Sequence, residues 1–143
     1  MKYYTKLNAY KASNVKLCMN EFQACSYGWW IFLKPINGVL VFNNYNYSKT
    51  TTQHQHKVTM LLNEVKQKSG IQDVLVVETS KSLHNDDALK DAIETINNSI
   101  KELMQTIARP KTKQKKNIDR MNTIEHLIRK KHSIQSLIER GDQ

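Results

Sequence analysis

The run ARPKTKQKKNIDR holds Arg109, Lys111, Lys113, Lys115, Lys116 and Arg120, and its first eight positions from Arg109 contain no acid. Cations at that density hold phosphates, with an affinity that falls steeply as salt rises. Farther on, IRKKH adds Arg129, Lys130 and Lys131. These last three can instead meet the acids of the preceding segment, which would leave only the loop exposed. A second chemistry is aromatic. Tyr27, Trp30, Tyr45 and Tyr47, with Lys34, Lys49 and Lys57, have the composition of a platform on which unpaired bases stack while cations hold the backbone. The same residue types also fill sheet cores, and no RNP-like sequence accompanies them.

A third feature is YSKTTTQHQHK, whose hydroxyls and Lys49 suit an anion at a helix start. The glycines of a P-loop are missing, and Ser, Thr and Gln are what any helix start prefers. His54 and His56 stand two residues apart, so on a helix they point about 200° away from each other and do not converge on a metal. His54 falls one turn before Val58 and edges a core; His56 faces water. No residue set points to a metal or any other cofactor. Neither a nucleophile elbow nor paired acids are present, so the chain reads as a binding protein and not as an enzyme.

These residues need elements to position them. The chain has 143 residues, 39% hydrophobic and 24% charged, enough to bury a core without staples. No apolar run approaches the roughly 20 residues a membrane helix needs, and the opening MKYYTKLNAYKASN has no apolar block of signal-peptide type, which predicts a cytoplasmic protein with no membrane partner. Cys18 and Cys25 match neither a CxxC pair nor a zinc knuckle and read as two buried or half-buried thiols. The net charge of +9 conceals a division: residues 1–70 and 109–143 are strongly basic, and residues 71–108 carry seven acids against three bases.

The acidic segment contains the surest element. Leu89, Ile93, Ile96, Ile100, Leu103 and Ile107 follow the 4, 3, 4, 3, 4 spacing of a heptad seam, which predicts a helix over 85–108 with Asn85 as its cap. Pro110 breaks it, and Ile118, Met121, Ile124, Leu127, Ile128, Ile134, Leu137 and Ile138 predict another over 117–140. An acidic helix and a basic one, joined by a short loop, fold back most simply as an antiparallel pair registered by cross-helix ion pairs. The isoleucine seam is also a candidate interface, to a partner protein or to a second copy.

Upstream the period changes. Strands are predicted near 26–34, 39–47 and 72–78, with an extra one near 15–24 and a packed helix over 50–69 carrying Val58, Leu61, Leu62 and Val65. Either Asn37 and Gly38 form a two-residue turn or all of Pro35–Gly38 forms the loop of the first hairpin; the longer loop is preferred, since Pro35 cannot donate within a ladder. That register sets Leu33 opposite Leu40 and Ile31 opposite Phe42, with Trp29 on their face; Phe32, Val41, Trp30 and Tyr45 take the other. One face is covered by helix, the other by the N-terminal segment or a partner. The class is α+β: a small antiparallel sheet with its helix over 1–80, then a helical hairpin over 85–140.

The segments SYGWWIFL and VLVFNNYNYSKTTTQHQHKV together resemble an F-N-x-Y-x-Y-S-x-T-T-x-x-H-Q/H-x-K-V stretch of small bacteriophage and prophage proteins. The resemblance covers residues 26–65 and implies a phage-type origin and the host cytoplasm, with no activity or binding residues attached. Two functions are therefore expected. The first is nucleic-acid binding through the 109–120 loop, with Lys130, Lys131, Tyr45, Tyr47 and Lys49 contributing. The second is a protein-interaction module or inhibitor that engages a host or defence protein through the helical seam or the aromatic sheet face.

Overall fold

The computed structural model describes residues 17–20, 22–109 and 114–141. In chain order run β1 (Leu17–Asn20), β2 (Gln23–Ser26), β3 (Trp30–Ile36), β4 (Val39–Asn43), α1 (Lys49–Met60), α2 (Leu62–Ser69), β5 (Val74–Val77), α3 (Ala88–Ile107) and α4 (Gln114–Gly141). These strands form one sheet in the order β1-β2-β3-β4-β5, and the class is α+β. Lys111 and Lys113 of the basic loop lie outside the described residues.

The sheet departs from the expected antiparallel one in a single joint. β1 to β4 are antiparallel neighbours, whereas β4 and β5 run parallel, with Leu40 opposite Val74 and Asn43 opposite Val77. Helices α1 and α2 cause this, because they carry the chain back along the sheet before β5 starts, as a parallel crossover requires. The expected single helix over 50–69 is broken at Leu61, where φ is −105° and ψ 3°. Just before the break, the Thr59 hydroxyl donates back to the Gln55 carbonyl, a bond that bends helices. The extra strand expected near 15–24 is a hairpin of two, whose register places Cys18 opposite Cys25; Cys25 is half-buried.

The β3–β4 hairpin has a two-residue turn, not the longer loop expected from Pro35. Asn37 (φ 49°) and Gly38 (φ 85°) both take the left-handed conformation that this turn demands. Ile36 and Val39 then close the hairpin and Pro35 pairs with Leu40. At that pair the Leu40 N–H points away from β3, donating to Asp73 O at 2.9 Å, so Pro35 stands at a position where no ladder bond is needed. The Asn37 side chain donates to Leu137 O at 2.9 Å, satisfying a carbonyl near the end of α4.

The faces of β3 also differ from strict alternation. Ala24 pairs with Leu33 but Cys25 with Ile31, so Phe32 is an extra residue and the strand carries a bulge. The bulge turns Leu33 to the same side as Trp30 and Phe32. Those three join Leu17, Ala24, Leu40, Phe42, Val58 and Val65 in a core under α1 and α2, with Tyr45 packed at its margin. Ile31 is left facing the other side with Val39 and Val41. There the covering layer is the hairpin itself: Val39, Val41, Val77 and Leu83 pack with Ala88, Leu89, Ala92 and Ile96 of α3 and with Ile134 and Leu137 of α4. The first turns of α3 thus meet the last turns of α4, so the two helices are antiparallel. Their root shares a core with the sheet, while Ile118 and Met121 near the tip are 62% and 58% exposed. No helix among the described residues is long and apolar enough to cross a membrane.

A shared root has a measurable consequence. Ile134→Ala should cost about 2–5 kcal/mol of unfolding free energy in urea titrations, as for a core cavity, and Met121→Ala no more than about 0.5 kcal/mol. Equal effects of the two substitutions would show that the root of the hairpin is not part of the core.

Candidate nucleic-acid interface

The aromatic surface is built where three chain segments meet at one end of the sheet's strands. β2 turns into β3 through Ser26–Trp29, closed by Trp29 N–H donating to Ser26 O at 3.2 Å. Its central residues, Tyr27 (φ 58°) and Gly28 (φ 77°), are both left-handed. Glycine is at ease there; a bulky tyrosine is strained and must be held. It is held by a 2.7 Å hydrogen bond between its hydroxyl and Ser48, and by ring contact with Tyr47 at 6.2 Å. The Ser48 bond, aided by Thr50, also draws the Tyr27 phenol below its ordinary pKa.

The second segment, residues 44–48, leaves the end of β4 and enters α1. Ser48 is its cap and accepts from Thr51 N–H at 3.1 Å. Gln55 is buried and turned inward, donating to Asn43 O at 2.7 Å and Tyr45 O at 3.0 Å. The third segment, 79–83, takes the place beside β3 that β4 has vacated. Leu83 N–H donates to Ile31 O at 2.9 Å, Ile31 N–H to the Ser82 hydroxyl at 2.8 Å, and the Trp30 indole to Ser80 O at 3.1 Å.

Together these segments arrange the rings. Buried Phe32 and Trp30 lie nearly parallel, 6.1 Å apart and 28° inclined, and Tyr47 continues the column on Trp30 at 5.1 Å and 25°. Trp29 meets Tyr47 edge-on, at 6.0 Å and 83°. Exposure rises outward: Trp30 is 0% exposed, Tyr27 37%, Tyr47 42% and Trp29 52%. Lys49, the first residue of α1, is exposed beside Ser48. Tyr47 and Lys49 are therefore at the surface as expected. Tyr45 is half-buried at the core margin, and Trp30 is wholly core. The residue missed by the sequence reading is Trp29, assigned there to a covered face. The signal that would have found it is Tyr27-Gly28, a turn pair between two strand-like runs.

The basic surface lies on the hairpin. Arg109, Lys115, Lys116 and Arg129 are exposed; Arg120, Lys130 and Lys131 are half-buried. Among the described residues none of the seven has a carboxylate within 4.0 Å, and the ion pair found is Glu64–Lys68 within α2. The cross-helix ion pairs expected between α3 and α4 do not form there. Arg120 instead donates to the Asn117 side chain at 2.9 Å. Register comes from the apolar seam: Leu89 and Ile96 are buried, Ile93 and Ile100 pack against the same cluster, and Leu103 and Ile107 are half-buried. The seam is turned into its own chain, and the large apolar side chains the hairpin exposes are Met104, Ile118, Met121 and Ile128.

A hydroxyl and an imidazole also meet, Ser26 Oγ and His54 Nδ1 at 2.6 Å. They are 0% and 2% exposed, sealed between β2 and α1, where they tie strand to helix. His54 Nε2 is buried without a partner among the described residues. Protonation would add a buried, unpaired N–H, and burial accordingly lowers the His54 pKa below 6.5. His56 is exposed, as expected. Compared with protein-family models, with curated proteins and with solved structures, the chain finds no match.

Because the folded value lies below the unfolded 6.5, the unfolded chain takes up this proton first. His54 should thus contribute full stability above pH 6.5 and lose it as pH falls toward the lowered value. In urea titrations on the acidic side of that point, the gap between the wild type and His54→Asn should narrow. A gap independent of pH would refute the burial account.

Proposed function

We propose that the protein binds nucleic acid, alone or within a nucleoprotein complex, through the cations that run from Arg109 along α4. One observation carries this reading: among the described residues, no carboxylate of the acidic helix pairs with these cations. Residues 114–141 contain seven cations against three carboxylates, on a helix whose first turns leave Ile118 and Met121 62% and 58% exposed. Phosphate contact is the use to which the exposed Lys115, Lys116, Arg129 and Arg140, with Arg109 just before the helix, are suited, and the net charge of +9 draws a polyanion from a distance. Lys111 and Lys113 belong to the same run in sequence. A phage-type origin, which the resemblance over residues 26–65 implies, would place the target in the host cytoplasm.

A second reading, a protein-docking module, is favoured by the exposure of Met104, Ile118, Met121 and Ile128 on the hairpin. Its simplest form is a dimer, and a strictly monomeric protein in sedimentation at high concentration would count against that form.

The nucleic-acid reading is tested by titrating single- and double-stranded DNA and RNA at several salt concentrations. Replacement of Lys115, Lys116 and Arg129 by Gln should weaken binding to every sequence and make the log-log salt dependence shallower by about 0.7–0.9 per lost phosphate contact. Unaltered affinity and slope would end the proposal.

A further inference from the structure

We infer that the slot formed by Trp29, Tyr47 and Tyr27 takes an unpaired base, so that the nucleic acid bound is single-stranded. The inference rests on the nucleic-acid reading for its charge argument and on separate residues for its geometry.

The column Phe32–Trp30–Tyr47 starts in the core and ends in water. Each member lies within 28° of parallel to the next. Trp30 occupies one face of Tyr47, and Trp29 and Tyr27 stand against the same ring at 83° and 57°. Tyr47 is 42% exposed, so a planar group laid on its accessible part would meet Trp29 and Tyr27 as well, whose rings lie 6.0 and 6.2 Å from it. Stacking of that kind accepts any base, since every base has a π-face, and a base paired within a duplex cannot enter.

Three features argue that the occupant is a nucleotide and not simply an apolar partner. The rim is hydroxyl-rich and cationic: Ser48 bonds the Tyr27 hydroxyl, and Lys49 follows it. The rings are pre-set at a cost, with Tyr27 in a left-handed turn position where Asn or Gly is the ordinary choice. The surrounding protein carries +9, complementary to a phosphate chain and unsuited to another basic surface.

The test compares two probes of equal length, an oligothymidylate and an abasic deoxyribose-phosphate oligomer, followed by tryptophan fluorescence and by anisotropy. Trp29 is half exposed, so Trp29→Ala leaves the core intact, and Tyr27→Asn supplies a residue that the turn prefers. Each variant should bind the oligothymidylate about tenfold more weakly, with unchanged salt slope and unchanged binding to the abasic probe. Wild-type affinity in both variants, or equal binding of the two probes by the wild type, would overturn the inference. If the Lys115, Lys116 and Arg129 replacements are silent while the aromatic ones are not, the helix reading falls and the stacking slot stands; the reverse pattern does the opposite. Absence of binding to either probe overturns both.

Discussion

Asn43 ends β4 wholly out of contact with water, and the amide it buries organises the end of the sheet where the aromatic rings assemble. Its nitrogen donates to Thr79 O at 2.8 Å and to Lys81 O at 3.4 Å. Its oxygen accepts from Thr79 N–H at 3.2 Å and Tyr45 N–H at 3.1 Å. Every donor and acceptor that an asparagine side chain offers is used, which is the condition under which a buried polar group specifies a structure instead of weakening it. Through these bonds the ends of β4 and β5 are locked to one another. The chain after Asn43 is released from the sheet toward Ser48, and residues 79–83 are drawn in beside β3. Gln55 seals the arrangement from the helix side by holding the carbonyls of Asn43 and Tyr45. Tyr47 reaches Trp30 only because its segment leaves the sheet at this point and in this direction.

On the opposite face the organising force is apolar burial. Each Leu or Ile taken fully from water contributes about 1.5–3 kcal/mol, against 0–1 kcal/mol for an exposed ion pair. That ratio explains how an acidic and a basic helix pack without a described ion pair between them. Leu89, Ala92 and Ile96 against Ile134 and Leu137 settle which turns of the two helices meet, and Asn37 holds the far end of α4 to the hairpin turn of the sheet. The cations ride on a helix whose position was decided without them.

Helix α3 was legible almost to its ends, because six apolar residues at heptad spacing leave few alternatives. So were the cores of β3, β4 and β5, each a short apolar run, and the antiparallel return of α4. The bulge at Phe32 was not legible: it arises from a mismatch between β2 and β3, a property of two strands that neither displays alone. The two-residue turn at Asn37-Gly38 was written in the sequence but outvoted by Pro35, whose missing N–H matters only at a bonded ladder position. The parallel joint of β5 depended on where α1 and α2 set the chain down. For the candidate site, the cations could be named from composition, whereas the exposed rings could not. Trp29 and Trp30 are adjacent and chemically identical, yet one is 52% exposed and the other fully buried.

By itself, then, the chain determined its segments and its charge: periodicity marks which faces must be buried, and the count of Lys and Arg over Asp and Glu is independent of conformation. The tertiary structure decided which rings remain in water and which cations remain without carboxylates. Both depend on distances between residues far apart in the chain, such as Tyr47 and Trp30 or Asn43 and Thr79. Those distances are set by bulge, crossover and buried hydrogen bonds acting together, and no local pattern encodes them.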